Sequence, residues 1–191
     1  MVASGLPAGA LPVERRDEIG DLARAFRDMR LQIGEQISEL RDNQDELEHL
    51  AQHDPLTGLA NRRKFQERLD HALAQARRVP QTVSVLFIDL DRFKPINDQH
   101  GHGYGDLVLA EIARRLRQYV RDTDLPARLG GDEFVVICES VQSAEHAHDL
   151  AKRLLEGLDT PMYLEDRAVR VGASIGIALS CGADDATQLI R

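Results

Sequence analysis

Two adjacent glycines set between short apolar runs constrain this chain more than any other stretch. Gly130-Gly131 lies between Leu125-Pro126-Ala127-Arg128-Leu129 and Phe134-Val135-Val136-Ile137-Cys138. The pattern predicts a β-hairpin with a two-residue turn, because glycine accepts positive φ at both central positions. A plain hairpin needs nothing more, yet two carboxylates, Asp132 and Glu133, follow the turn directly. They would stand at the tip of a sheet, where the glycines leave room for a bulky ligand. A second acidic strand end lies upstream in Phe87-Ile88-Asp89-Leu90-Asp91. Two such ends brought side by side make a site for a hard cation such as Mg²⁺.

At 191 residues and 42% apolar, the chain can form one full domain with a real core, plus an appendage. Its net charge of −8 argues against nonspecific binding to a nucleic-acid polymer. Nucleotide binding stays compatible, since a metal would supply the positive charge. Cys138 and Cys181 have no metal-ligand spacing, and Cys138 reads as a small core residue in a reducing cytosol. No apolar run approaches membrane-spanning length, and no signal peptide is visible.

Residues 1–13 read as a flexible lead-in, small, apolar and punctuated by Gly and Pro. Residues 14–53 read as one long helix. Its apolar positions, Ile19, Leu22, Phe26, Met29, Ile33, Ile37, Leu40 and Leu47, step by 3, 4, 3, 4, 4, 3 and 7. That is a heptad seam with a stutter between Met29 and Ile37. So narrow a stripe wants a partner helix, and a parallel homodimer through 14–53 is expected over packing on its own domain.

Asp54-Pro55 stops this helix, and Thr57 is placed to cap the next. A helical pattern from Asn61 to Arg78 puts Phe65, Leu69, Ala72 and Leu73 on one face. The apolar run Val83–Ile88 predicts a buried central strand. After a loop through Gly105, a helix buries Leu107, Leu109, Ile112 and Leu116. The hairpin follows, then a helix over about Ala144–Leu158 with Leu150, Leu154, Leu155 and Leu158 inward, and a last strand over Val169–Ala178. The order implies an α+β fold for residues 54–191, a mixed central sheet with flanking helices.

Four ordered stretches carry a family resemblance: Asp54–Arg63 (DPLTGLANRR), Asp89–Asp98 (DLDRFKPIND), Gly101–Asp106 (GHGYGD) and Gly130–Phe134 (GGDEF). Together they resemble the GGDEF family of diguanylate cyclases, over about residue 50 to the end. The resemblance implies a palm-like fold related to nucleotidyl cyclases and polymerases. It also implies an enzyme that condenses two GTP into cyclic di-GMP and two pyrophosphates with Mg²⁺ or Mn²⁺. By resemblance, Asp89 and Asp132 are the metal carboxylates, and the Leu90 carbonyl adds a ligand. Asp132 or Glu133 assists deprotonation of the attacking 3′-hydroxyl, and Lys94 neutralises phosphate. Asn97 and Asp106 correspond to the guanine-reading pair; a carboxylate accepts from guanine N1–H and the 2-amino group, which adenine does not offer. His102 either lines that pocket or closes the loop through a backbone hydrogen bond. Gly130 and Gly131 let backbone approach the nucleotide.

Arg121-Asp122-Thr123-Asp124 stands five residues before the first glycine of the motif. There the resemblance places a feedback site for cyclic di-GMP, with Arg121 and Asp124 as its contacts and Lys152 or Arg153 joining from the next helix. Asp17–Phe26 resembles the second helix of a HAMP linker, which implies a cytoplasmic piece of a bacterial sensor whose parent is anchored in the inner membrane by a segment upstream. The family's helix after the last strand is expected to be cut short at Gln188–Arg191, weakening activity. The alternatives are a receptor that only binds cyclic di-GMP, and a dimerising signal relay.

Overall fold

The computed structural model describes residues 17–79, 81–141, 143–165, 167–180 and 186–189. The expected lead-in 1–13, the first residues of the expected long helix and Cys181 lie outside them. The chain divides into two compact units, residues 1–49 and 50–191.

In the first unit, helix α1 (Glu18–Gln52) runs on into the start of the second. Its seam residues, from Ile19 and Leu22 through Ile37 to Leu47, are all exposed. It stops at Gln52, just ahead of Asp54-Pro55, as the restriction on the residue before proline requires. No helix of the described residues is long and apolar enough to cross a membrane.

The second unit is an α+β sandwich. After α2 (Arg62–Arg78) come β1 (Thr82–Leu90), α3 (Phe93–His100), α4 (His102–Tyr119), β2 (Leu125–Gly130) and β3 (Glu133–Val141). Then follow α5 (Ala144–Leu158), β4 (Met162–Leu164), β5 (Arg167–Val169), β6 (Ala173–Leu179) and α6 (Ala186–Leu189). The main sheet has the order β2-β3-β1-β6, while β4 and β5 form a separate two-stranded ribbon. Every ladder in the main sheet is antiparallel, where the sequence order implied a mixed sheet. β1 and β2 do run in the same direction, as a helical crossover demands, but β3 inserts between them.

β1 is central and covered on both faces, which is why its sequence is a continuous apolar run. Leu86, Ile88 and Leu90 face one core with Phe134, Val136 and Cys138, packed by Val108, Ile112 and Leu116 of α4 and Leu154 and Leu158 of α5. Val83 and Val85 face the other with Val135 and Ile137, packed by Phe65, Leu69, Ala72 and Leu73 of α2 and by Ala186 and Leu189 of α6. The alternation is the two-residue period of a strand.

Several local expectations shift. Asn61, not Thr57, caps α2, its side chain accepting from the Lys64 N–H. The segment read as a loop through Gly105 is two helices joined at Gly101, which takes φ 85°. Leu107 is exposed and Val108 takes its core place, a one-residue rotation of the α4 stripe. The apolar run Val169–Ala178 is divided between β5 and β6, because Val169 pairs with Met162 in the ribbon.

Candidate active site

The hairpin tip differs from the expected one by a single residue. Gly130 pairs with Glu133 after a register shift following Arg128, so the two turn residues are Gly131 and Asp132 rather than the two glycines. An irregularity of this kind takes up one extra residue on one strand. Both glycines still adopt positive φ, 144° and 54°, which a side chain would oppose. Asp132 thereby becomes a half-buried turn residue, and Glu133 starts β3.

The registers of β1 against its two neighbours decide the site. Glu133 stands opposite Asp89 across the β1–β3 ladder, and Ser174 stands opposite Asp89 on the other side, across β1–β6. Residues opposite one another in an antiparallel pair share a face. Asp89 shares its face with Val83 and Val85, and Glu133 shares its own with Val135 and Ile137, the face that α2 covers. Both carboxylates are exposed at its open end. A cleft of about 800 Å³ lies over this row, lined by Phe87, Asp89, Glu133, Ser174, Gly176 and Arg62. Arg62, at the start of α2, reaches 3.9 Å from the Glu133 carboxylate. Beyond the strand end, the Ser174 hydroxyl donates to Asp91 Oδ1 at 2.9 Å, tying β6 to the close of β1.

The remaining expected site residues follow the end of β1. Lys94 is exposed in the first turn of α3, and His102 is exposed at the first position of α4. Asn97 on α3 is half-buried, and its Oδ1 is buried with no hydrogen-bond partner. Such an orphan acceptor is costly, and a donor brought to it would relieve the cost. It lies against Gly105, where a Cβ would come within 1.9 Å of it, and Asp106 follows on the same helix, exposed. Asn97 and the start of α4 are therefore packed together by a glycine.

As a home for a divalent cation, the described residues contain no cluster of three or more His, Cys, Asp or Glu side chains. The donors at hand are Asp89, Glu133, Asp132 and the backbone of Leu90, the last residue of β1. Mg²⁺ needs no more than one or two carboxylates when substrate phosphates and water complete its shell, so this set fits it.

Sequence reasoning gave Arg128 no role, although it stands two residues before the first of the two glycines. Its guanidinium donates through Nε and Nη2 to the Gly131 carbonyl, at 3.0 and 2.8 Å, and through Nη1 to Asp54 Oδ1 at 3.1 Å. Asp54 also accepts from the Thr57 hydroxyl at 2.6 Å and the Thr57 N–H at 2.8 Å. Burial alone would raise the Asp54 carboxyl, but Thr57 and Arg128 outweigh it and hold it below its ordinary value. Thr57, expected as a helix cap, serves this network instead. The segment after α1 is thus tied to the turn that carries Asp132.

Arg121 and Asp124 come together in a separate cavity of about 240 Å³. The Asp124 carboxylate accepts from the Arg121 N–H at 3.0 Å, and burial pushes its pKa up. Of the two basic residues proposed to join from the next helix, Arg153 lines the cavity and Lys152 does not; Arg153 is oriented by a bond to the Tyr119 carbonyl at 2.8 Å. Cys138 forms part of the floor, its thiol pushed up to about 12 by burial.

Comparison with known proteins bears on the family and the fold. A family model described as "Diguanylate cyclase, GGDEF domain" matches residues 51–191. A HAMP-domain model matches residues 7–35, beginning inside the stretch read as a lead-in. The bifunctional diguanylate cyclase/cyclic di-GMP phosphodiesterase MucR of Pseudomonas aeruginosa is 48% identical over 137 residues, 72% of this chain and 20% of that protein. Diguanylate cyclase TpbB of the same organism is 41% identical over 163 residues, 85% of this chain and 38% of that protein. The chain therefore spans well under half the length of these curated relatives. The crystal structure of the GGDEF domain of PA1120 (YfiN or TpbB) from P. aeruginosa matches with a TM-score of 0.67 and 42% identity, covering 70% of this chain and 84% of that one. The coiled coil and GGDEF domain of DgcB from Caulobacter crescentus, in complex with c-di-GMP, shares the fold at a TM-score of 0.80 and 23% identity, covering 87% of this chain and 88% of that one. With a motif complete at 130–134, an antiparallel sheet that sets Glu133 against Asp89, and a family match over most of its length, the chain belongs to the GGDEF family, the diguanylate cyclases.

Proposed function

We propose that this chain condenses two GTP into cyclic di-GMP, releasing two pyrophosphates, with each 3′-hydroxyl attacking the α-phosphate of the other nucleotide. The observation that carries the reading is the register of Asp89 against Glu133, directly behind an intact turn. Phosphoryl transfer asks mainly for positioning and charge neutralisation, and a row of carboxylates beside an open cleft is suited to both. Asp89, Asp132 and the Leu90 carbonyl would hold Mg²⁺ or Mn²⁺, with Glu133 facing Asp89 from β3. A metal bound there supplies positive charge against the triphosphate and activates the attacking oxygen. Asp132 or Glu133 takes the 3′-hydroxyl proton, and Lys94 neutralises phosphate. Asn97 and Asp106 read guanine, and the orphan acceptor of Asn97 supports this. His102 borders that pocket. Gly130 and Gly131 admit the nucleotide to the turn.

One such cleft holds one GTP, so the reaction needs two domains facing each other. The exposed heptad seam of α1 supports a homodimer through residues 14–53, which raises the effective concentration of one domain near the other. The HAMP match supports a relay from a membrane-anchored sensor. Arg121, Asp124 and Arg153 form the feedback site for cyclic di-GMP. The test is GTP turnover by purified protein with Mg²⁺, compared with Asp132→Ala. The variant is expected to lose synthesis while keeping the parent's near-UV spectrum; normal turnover would remove Asp132 from the site.

A further inference from the structure

The product cavity is walled by three elements, and the third brings an imidazole to it. Arg121 and Asp124 come from the segment leading into β2, Cys138 and Glu139 from β3, and His146, Asp149 and Arg153 from α5. His146 sits in the first turn of α5, its N–H bonded to the Ser143 hydroxyl at 3.4 Å. Glu145, His148 and Lys152, the other titratable groups on this stretch of α5, do not line the cavity.

The charges facing His146 nearly cancel without it. Glu139 is taken up from outside by Arg68, whose Nε lies 2.7 Å from its carboxylate. That leaves Arg121 and Arg153 against Asp124 and Asp149. Cys138 is a buried thiol and stays neutral. A dianionic dinucleotide would meet a wall with almost no net charge, although its two phosphates call for cations. Of the lining side chains, an imidazole is the one whose ordinary charge change falls between pH 5 and 8.

We propose that His146 is a third cationic contact for the phosphates of the bound dinucleotide, made when its ring is protonated, so that feedback binding strengthens in acid. The proposal rests on reading this cavity as the product site. The sign follows from linkage: a bound anion favours the charged ring, so the complex takes up protons and affinity rises as pH falls.

Calorimetric titration of the full chain with cyclic di-GMP at about pH 6 and pH 8 tests it. The parent is expected to bind about fivefold tighter at the lower pH, a modest coupling for one partly exposed charge. His146→Gln should bind at both pH values as the parent does at pH 8, losing the slope. His146→Lys, charged throughout, should bind tightly at both. A parent with equal affinities, or a His146→Gln variant that keeps the parent's slope, overturns the proposal. Arg121→Ala separates the two readings. If it binds as tightly as the parent, the cavity is not the product site and both fall; if it is weak while the parent shows no slope, the role of His146 alone falls.

Discussion

Asp54→Ala removes the acceptor on which the segment after α1 and the Gly131-Asp132 turn both depend. In the parent, the Asp54 carboxylate holds the Thr57 hydroxyl and N–H and one arm of Arg128. Without it, Arg128 keeps its bonds to the Gly131 carbonyl but loses its counter-charge. Stranding a fully buried partner costs about 3–5 kcal/mol. Here the side chains retain 20% and 11% of their exposure, so water compensates in part and a loss of about 2–3 kcal/mol is expected. Urea unfolding read by tyrosine near-UV dichroism measures it. The chain has no Trp and three Tyr, all beyond α1, so the signal reports the second unit alone. With a slope of about 1–3 kcal/mol per molar urea, the midpoint should fall by about 1–2 M. In a cycle with Arg128→Met, the coupling should be at least about 1 kcal/mol, as for side chains sharing one network. The pair also sets an acid limb. Because the folded pKa of Asp54 is depressed, its contribution is present above the unfolded value of about 3.8 and is lost as pH falls through the folded one. Asp54→Ala should lack that limb. A variant within about 0.5 kcal/mol of the parent, or strictly additive with Arg128→Met, would refute the reasoning.

Gly105→Ala would set a methyl 1.9 Å from Asn97 Oδ1 and 3.2 Å from the Phe93 ring, so Asn97 must move. It should cost about 1–3 kcal/mol in a melt and lower GTP affinity more than ATP affinity; an unchanged GTP preference would take guanine reading away from Asn97. The Glu111 carboxyl is held at about 2 by hydrogen bonds, first from Arg114 and then from Arg115. Its contribution is present above the unfolded value of 4.5 and lost as pH falls toward 2, so Glu111→Gln should flatten acid unfolding across that window, and an unaltered acid profile would discount the pair. Inserting one to seven residues between Leu47 and His53 should make cyclase activity vary with a period near seven, as a heptad coil that sets the pairing of two domains demands. A steady decline with length, or sedimentation as a monomer at working concentration, would count against the coil.

The primary sequence determined what depends on neighbours along the chain. The buried run of β1, the α2 stripe and the α5 bounds over 144–158 are periodicities, and each element formed where its period placed it. The carboxylate-bearing motifs were equally legible, because residue type and spacing are local. Tertiary structure decided what depends on partners far away. β3 slid between β1 and β2 and made the sheet antiparallel, since strand order is a choice among packings that no single strand encodes. One shift in the β2–β3 register moved the turn to Gly131-Asp132, and the separate register of β1 on β3 set Glu133, not Asp132, opposite Asp89. Arg128 read as an ordinary strand residue until folding set Asp54, 74 positions earlier, beside it. Such contacts depend on which surfaces meet, and that is settled only when the apolar faces of the whole domain are buried together.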